Sequence, residues 1–202
     1  FRRNAFDGSL QVEDPNVSLL VNGLVESKRE NTVVNLSIGL EHFKPDKLHL
    51  LDKFEEPDIS FALNADFVGN NIDNVVGRID VDDLSFKTQP DSFYLKKLSV
   101  EAGTENGLRQ LKIASDLING EVKGAYSFGT IVPSFMNTLK GYIPALINAK
   151  QMSGKFDAND FTLLLTIENT EALSHTLKLP VTMIQPARIA GSYNNSYNKF
   201  RF

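Results

Sequence analysis

A short phrase recurs along this chain: a glycine followed by residues that alternate between apolar and polar. It occurs as Gly8-Ser9-Leu10-Gln11-Val12, Gly77-Arg78-Ile79-Asp80-Val81, Gly124-Ala125-Tyr126-Ser127-Phe128, Gly154-Lys155-Phe156-Asp157-Ala158 and, shortened, Gly191-Ser192-Tyr193. An alternation with a period of two gives a β-strand one apolar face and one polar face. A chain built from many such strands presents a broad apolar surface, which favours a carrier or scaffold over an enzyme.

Alternating segments of this kind run through most of the sequence. They predict strands over residues 6–12, 17–25, 33–40, 58–68, 75–88, 93–101, 108–117, 120–128, 153–158, 161–168, 174–184 and 186–193. Such spacing is typical of a sandwich, a barrel or a solenoid. The phrase glycines lie 69, 47, 30 and 37 positions apart by subtraction, which is too irregular for a strict solenoid. We therefore predict a mostly β fold, with roughly a dozen short antiparallel strands in a curled, trough-like sheet.

Two segments depart from this alternation. At Asp82-Asp83 the apolar positions slip by one residue, which predicts a bulge or a corner because a shift of one residue exchanges the two faces. Over residues 131–150 the apolar spacing becomes three and four, which predicts a short helical segment interrupted at Gly141 and Pro144. We interpret the chain as one elongated β-rich section, 1–202. The alternative is two sub-units, 1–130 and 153–202, joined by that helical segment.

Composition narrows the classes of function. The 202 residues carry a formal net charge of −4 and no cysteine, which argues against a nucleic-acid partner and excludes disulfides and thiolate chemistry. No apolar run reaches the roughly 20 residues of a membrane-spanning helix. Because the chain starts at Phe1 without a leader, we expect a section of a longer protein.

The sequence offers few candidates for catalysis. His42 and His49 stand seven residues apart among carboxylates, a pattern that suits a solvated loop better than a metal site. Acidic pairs such as Asp82-Asp83 lack the aromatic platforms of a sugar-binding cleft, and the motifs of serine hydrolases and phosphate-binding loops are absent. We expect no enzyme activity, no cofactor and no metal.

The aromatic content leaves one question open. The sequence has fourteen phenylalanines and no tryptophan. Phenylalanine side chains are large and apolar and have no hydrogen-bonding group. These side chains fill a closed core between two sheets, or some of them line an open groove that binds an apolar ligand. Periodicity does not separate the two, because a strand with one apolar face looks the same in both.

Several segments resemble TamB/AsmA-like envelope proteins. The resemblance lies in residues 6–25, 73–84 and 111–126 and in the Tyr142-Ile143-Pro144 helix that follows, and it spans most of 6–193. It implies a section of a β-taco, a folded sheet with an apolar inner wall. It further implies a periplasmic position in a protein anchored at the inner membrane of a Gram-negative cell.

The same resemblance implies a function in moving phospholipid to the outer membrane or in assembling outer-membrane proteins. The partners would be phospholipid acyl chains or unfolded outer-membrane protein strands, with an outer-membrane assembly partner for the full-length protein. The family has no short binding motif, so alternation alone nominates the groove wall: Phe61, Leu63, Phe67, Phe161, Leu163, Leu165 and Ile167.

Two other functions stay open at this point. A closed β-sandwich would act as a binding or adhesion module that uses its loops. A β-solenoid enzyme acting on polysaccharide would need two facing carboxylates in a cleft. The helical segment 131–150 is expected to cover an open edge of the sheet.

Overall fold

A computed structural model describes residues 5–28, 31–51, 53–71, 73–130, 159–179, 182–194 and 199–201. Its strands are β1 (Ala5–Asp14), β2 (Val17–Ser27), β3 (Thr32–Phe43), β4 (Asp58–Gly69), β5 (Val76–Lys87), β6 (Ser92–Glu105), β7 (Leu108–Ser115), β8 (Ile118–Ala125), β9 (Asp160–Ile167), β10 (Ala187–Asn194) and β11 (Lys199–Arg201). They form one sheet in chain order, and each strand is antiparallel to the next. The sheet is curled and unclosed. The prediction of a mostly β, curled antiparallel sheet is confirmed.

Short polar turns set the pairing of neighbouring strands. Between β1 and β2 the backbone N–H of Asn16 donates to Oδ1 of Asp14 at 2.8 Å, so the aspartate side chain closes the turn around Pro15. Between β4 and β5, Oδ1 of Asn74 accepts the backbone N–H groups of Asn70 and Asn71 at 2.9 and 3.0 Å. Each turn fixes the register of the two strands that it joins. Residues that pair across neighbouring strands therefore face the same side of the sheet.

The phase slip at Asp82-Asp83 is a β-bulge, as predicted. Asp83 has φ 53°, and the pairing of β4 with β5 shifts by one residue between Ser60 and Ala62. Two residues of β5 therefore stand opposite one residue of β4. Past the bulge, Phe86 pairs with Ile59, so the apolar residues return to the side that they occupied before it.

Two of the recurring glycines, Gly77 and Gly124, lie where neighbouring strands approach too closely for a side chain, whereas a Cβ atom at Gly8 would meet nothing within 4 Å. Gly77 (φ +144°) lies beside Phe67, and Gly124 (φ +155°) lies beside Phe161. A Cβ atom at Gly77 would be 2.2 Å from the carbonyl oxygen of Asp66, and one at Gly124 would be 2.1 Å from that of Asp160. Only glycine combines this backbone conformation with that approach. Gly154 lies outside the described residues.

The strand predicted over residues 174–184 is wrong. A helix, α1, spans Glu171–Leu177 instead, and Lys178 ends it with φ 55°. The backbone N–H of Glu171 donates to Oδ1 of Asn169 at 2.7 Å, and the N–H of Ser174 donates to the carbonyl of Thr170 at 2.8 Å. These local bonds start a helical turn, and tertiary packing overrides the alternation of the following residues.

The helix predicted over 131–150 and the strand predicted over 153–158 lie outside the described residues, although residues 128–130 are helical. Strands on either side of that gap pair directly: Val122 of β8 stands opposite Leu163 of β9. The two sub-units considered for the chain, 1–130 and 153–202, therefore both contribute to one sheet.

Candidate functional site

One side of the sheet carries continuous rows of apolar residues, and we call it the apolar face. In one row each residue pairs with the next across ten strands: Phe6, Val25, Val34, Phe67, Gly77, Ala102, Leu111, Val122, Leu163 and Gly191. Ten strands are nine intervals of about 4.8 Å, so the row extends for roughly 43 Å.

A parallel row lies two residues further along each strand. Its members are Gly8, Gly23, Leu36, Ala65, Ile79, Val100, Ile113, Gly120, Leu165 and Ile189. A third row runs from β1 to β6 through Leu10, Val21, Ile38, Leu63, Val81 and Leu98. The apolar face is therefore a surface several side chains wide.

All seven residues predicted for the groove wall lie on the apolar face. Leu63, Phe67, Leu163 and Leu165 belong to the rows above, while Phe61, Phe161 and Ile167 stand opposite Leu40, Gly124 and Ile118. Six of the seven are half-buried. Phe161 differs, because it is only 3% exposed and packs against Tyr126 and Tyr193, with ring centroids 6.2 and 5.3 Å away. Phe161 therefore belongs to a buried aromatic cluster and offers almost no surface to a ligand.

Few apolar side chains of the described strands are fully buried. Among the described residues the buried ones are Val34, Ala65, Phe86, Phe93, Leu95, Tyr126, Phe161 and Tyr193. A closed core between two packed sheets would bury the inner residues of every strand. The described strands form a single sheet, so the two-sheet core that composition left open is not the arrangement of these strands.

The opposite side of the sheet, which we call the polar face, is charged. One of its rows alternates in sign across five strands through Asp66, Arg78, Glu101, Lys112 and Glu121. Opposite charges on neighbouring strands stabilise the pairing modestly. A depression of about 890 Å³ lies here, with Asn35, Asn64 and Arg78 in its lining. Its lining mixes polar and charged side chains with the exposed Val68 and Val76. The opposite side carries continuous apolar rows, so we place the candidate site on the apolar face.

At one end of the strands the apolar face is covered by two connections. Phe54, from the β3–β4 loop, packs edge-on against Phe86 with ring centroids 5.1 Å apart. The ammonium groups of Lys53 and Lys178 lie 5.2 and 5.8 Å from the Phe54 ring, and α1 contacts β6. The β3–β4 loop and the β9–β10 connection thus meet above strands from the middle of the sheet.

At the other end of the strands, the Asp73 carboxylate ties three segments together. Its Oδ1 accepts from Arg109 Nη1 at 2.8 Å and from the Phe128 N–H at 2.6 Å, and its Oδ2 accepts from Ser127 Oγ at 2.8 Å. Burial alone would raise the pKa of Asp73, but these hydrogen bonds from Phe128, Ser127 and Arg109 outweigh it and lower the pKa. The carboxylate therefore stays ionised at neutral pH.

Replacing Asp73 with asparagine is expected to lower the free energy of unfolding by about 1 kcal/mol at neutral pH. Because these hydrogen bonds hold the folded-state pKa of Asp73 below its ordinary value, this stabilisation is present above the ordinary pKa of an aspartate and is lost as the pH falls through the folded pKa. Urea unfolding of both proteins, followed from about pH 7 towards pH 2, measures the difference. A difference that does not shrink on acidification contradicts this role of the carboxylate.

Other candidates for chemistry stay apart. His42 Nε2 lies 3.1 Å from the carbonyl oxygen of Asp14, while His49 is exposed in the β3–β4 loop. Asp82 stands opposite Lys97, and Asp83 accepts a hydrogen bond from Tyr94. In the part of the chain that the structure describes, no group of three or more His, Cys, Asp or Glu side chains is placed to hold a metal ion.

Among the described residues, no helix has the length and apolarity that a bilayer crossing requires. Comparison with family models, with curated proteins and with solved structures gives no match for this chain.

Proposed function

We propose that this chain is a non-catalytic section of a periplasm-spanning, inner-membrane-anchored protein of the TamB/AsmA-like kind. Its apolar face binds phospholipid acyl chains on their way to the outer membrane. The observation that carries the proposal is the continuous row of apolar residues across ten paired strands, which are half-buried at every position except the buried Val34.

The chemistry of a lipid tail fits such a surface. A hydrocarbon chain has no hydrogen-bonding groups, so it needs continuous apolar area and no specific polar contact. Each methylene removed from water contributes about 0.8 kcal/mol. One leaflet of a bilayer has about 15 Å of hydrocarbon, and a row of roughly 43 Å exceeds that length. An acyl chain can therefore lie along the row and move without a change in the type of contact.

A second candidate client is an unfolded outer-membrane protein strand. The observation that favours it is β1, which is ten residues long and pairs only with β2 among the described strands. The outer edge of β1 presents backbone N–H and C=O groups that an extended segment can pair with. This client would add to the sheet edge and leave the apolar face free.

Two matched positions on β9 test the proposal. A photo-crosslinking amino acid at Leu163 faces the apolar side, while one at the neighbouring Thr162 faces the polar side. After purification from cells, native mass spectrometry is expected to show bound phospholipid, and crosslinked lipid is expected from Leu163 far more than from Thr162. Equal labelling from both positions, or none from either, contradicts an acyl-chain surface.

A further inference from the structure

Arg109 is a charged residue in a row of the apolar face. It pairs with Thr104 and Gly124, and the row continues to Phe161 and Tyr193. A charge beside apolar surface is unfavourable unless a counter-charge or hydrogen bonds compensate it. Asp73 supplies both at 2.8 Å. Arg109 is therefore stable at this edge of the apolar face only with an anionic partner.

The groups around the Asp73 carboxylate form an anion cradle. We define it as the Arg109 guanidinium, the Ser127 hydroxyl and the backbone N–H of Phe128, which all donate to that carboxylate. A planar guanidinium together with hydroxyl and amide donors is equally suited to phosphate oxygens. The carboxylate thus occupies a place that a phosphate group can take.

The turn that carries Asp73 holds itself together without this carboxylate. Asn74 Oδ1 accepts two backbone N–H groups of the turn, and the N–H of Asp73 donates to Asn71 Oδ1 at 2.8 Å. None of these bonds uses the side chain of Asp73. The carboxylate can therefore leave the cradle by side-chain rotation, without breaking the turn or the pairing of β4 with β5.

We propose that the anion cradle binds the phosphate of a phospholipid headgroup, with Asp73 as the resident anion that the phosphate displaces. The inference rests on the proposed function for the acyl chain. Arg109 stands two residues before Leu111 on β7, so the cradle lies about 7 Å from the apolar row. One lipid can therefore place its phosphate on Arg109 and its tail along the row.

The test compares two short-chain lipids below their micelle concentration by calorimetric titration. Dihexanoylphosphatidylglycerol carries a phosphate and dihexanoylglycerol does not, and inorganic phosphate is a third ligand. For the wild type the phosphate-bearing lipid is expected to bind at least about tenfold tighter than dihexanoylglycerol. Arg109→Gln is expected to bring that ratio close to one. Asp73→Asn is expected to widen it several-fold, because an amide keeps acceptor capacity without competing as an anion.

The matched control is Arg78→Gln. Arg78 also donates to an aspartate, Asp80, at 2.8 Å, but on the polar face, so its loss is expected to leave the ratio unchanged. Circular dichroism verifies folding, and the double variant Asp73→Asn/Arg109→Gln replaces Arg109→Gln if the single variant is unfolded.

The outcomes separate the two proposals. A ratio that survives Arg109→Gln, or that Asp73→Asn lowers, overturns the headgroup site. Tight binding of both lipids with a wild-type ratio of one overturns the headgroup site and leaves the acyl-chain surface standing. Binding of inorganic phosphate with neither lipid overturns both.

Discussion

Replacing Gly77 with alanine is expected to destabilise the protein by about 3 to 5 kcal/mol. Two causes act at the same atom. The backbone at Gly77 has φ +144°, which a residue with a Cβ rarely adopts, and that Cβ would lie 2.2 Å from the carbonyl oxygen of Asp66 and 2.4 Å from Cα of Phe67. Both contacts are with backbone atoms of the paired strand β4, so the overlap cannot be relieved by rotating a side chain.

Gly103 provides the matched control for this change. It lies in the neighbouring strand β6, and a Cβ built there meets nothing within 4 Å. Gly103→Ala is expected to change stability by less than about 1 kcal/mol, and in the stabilising direction if the unfolded chain loses entropy. Urea midpoints of the two variants, measured with the wild type, give the comparison. Similar midpoints for both alanine variants contradict the explanation that close strand approach requires a glycine at position 77.

The alternation of residues was enough to predict the two faces of the sheet. A strand has a side-chain period of two, and an antiparallel pairing preserves it, so one correctly phased strand aligns its neighbours. This is why Leu63 on β4 and Leu163 on β9 both lie on the apolar face, although they are a hundred positions apart. The slip at Asp82-Asp83 could also be predicted as a bulge or a corner, because a β-bulge changes the phase of a strand without ending it.

Features that depend on contacts between distant segments were not predictable in this way. The bonds of Asp73 to Arg109, Ser127 and Phe128 span 36, 54 and 55 positions, and the alternation of residues does not reveal which of them are partners. The burial of Phe161 follows from Tyr126 and Tyr193 coming together. A signal for the Asp73 cluster did exist, since Arg109 occupies an apolar-phase position of β7.

The sequence alone could not decide between an open groove and a closed core, and the structure was needed to distinguish them. Each strand would have the same sequence pattern in a single curled sheet and in a sandwich. The number of sheets decides between them, and it is fixed by whether consecutive strands keep pairing or cross over. Here every described strand pairs with its successor, so the apolar rows run on from strand to strand.

A carboxylate on the apolar face is expected to abolish acyl-chain binding. Leu163→Asp places a charge between Val122 and Gly191, one strand from the β10 end of the apolar row. An aspartate in a hydrocarbon environment is unfavourable by about 3 kcal/mol, which corresponds to a loss of roughly a hundredfold in affinity. Thr162→Asp adds the same charge one residue away on the polar face, where Thr162 is exposed, and is expected to change affinity less than about twofold.

A fluorescent long-chain fatty acid measures both affinities, and the pair Leu63→Asp and Asn64→Asp repeats the comparison on β4. The second strand is a control for folding defects. A local defect at one position would not produce the same difference between the apolar-face and polar-face variants at the other position. Leu63 belongs to the apolar row that runs from β1 to β6, and Asn64 points to the polar face beside Asp80. If the apolar face binds acyl chains, both apolar-face variants lose binding while both polar-face variants retain it. Equal affinities within each pair mean that these side chains do not contact hydrocarbon, and the transport proposal then fails.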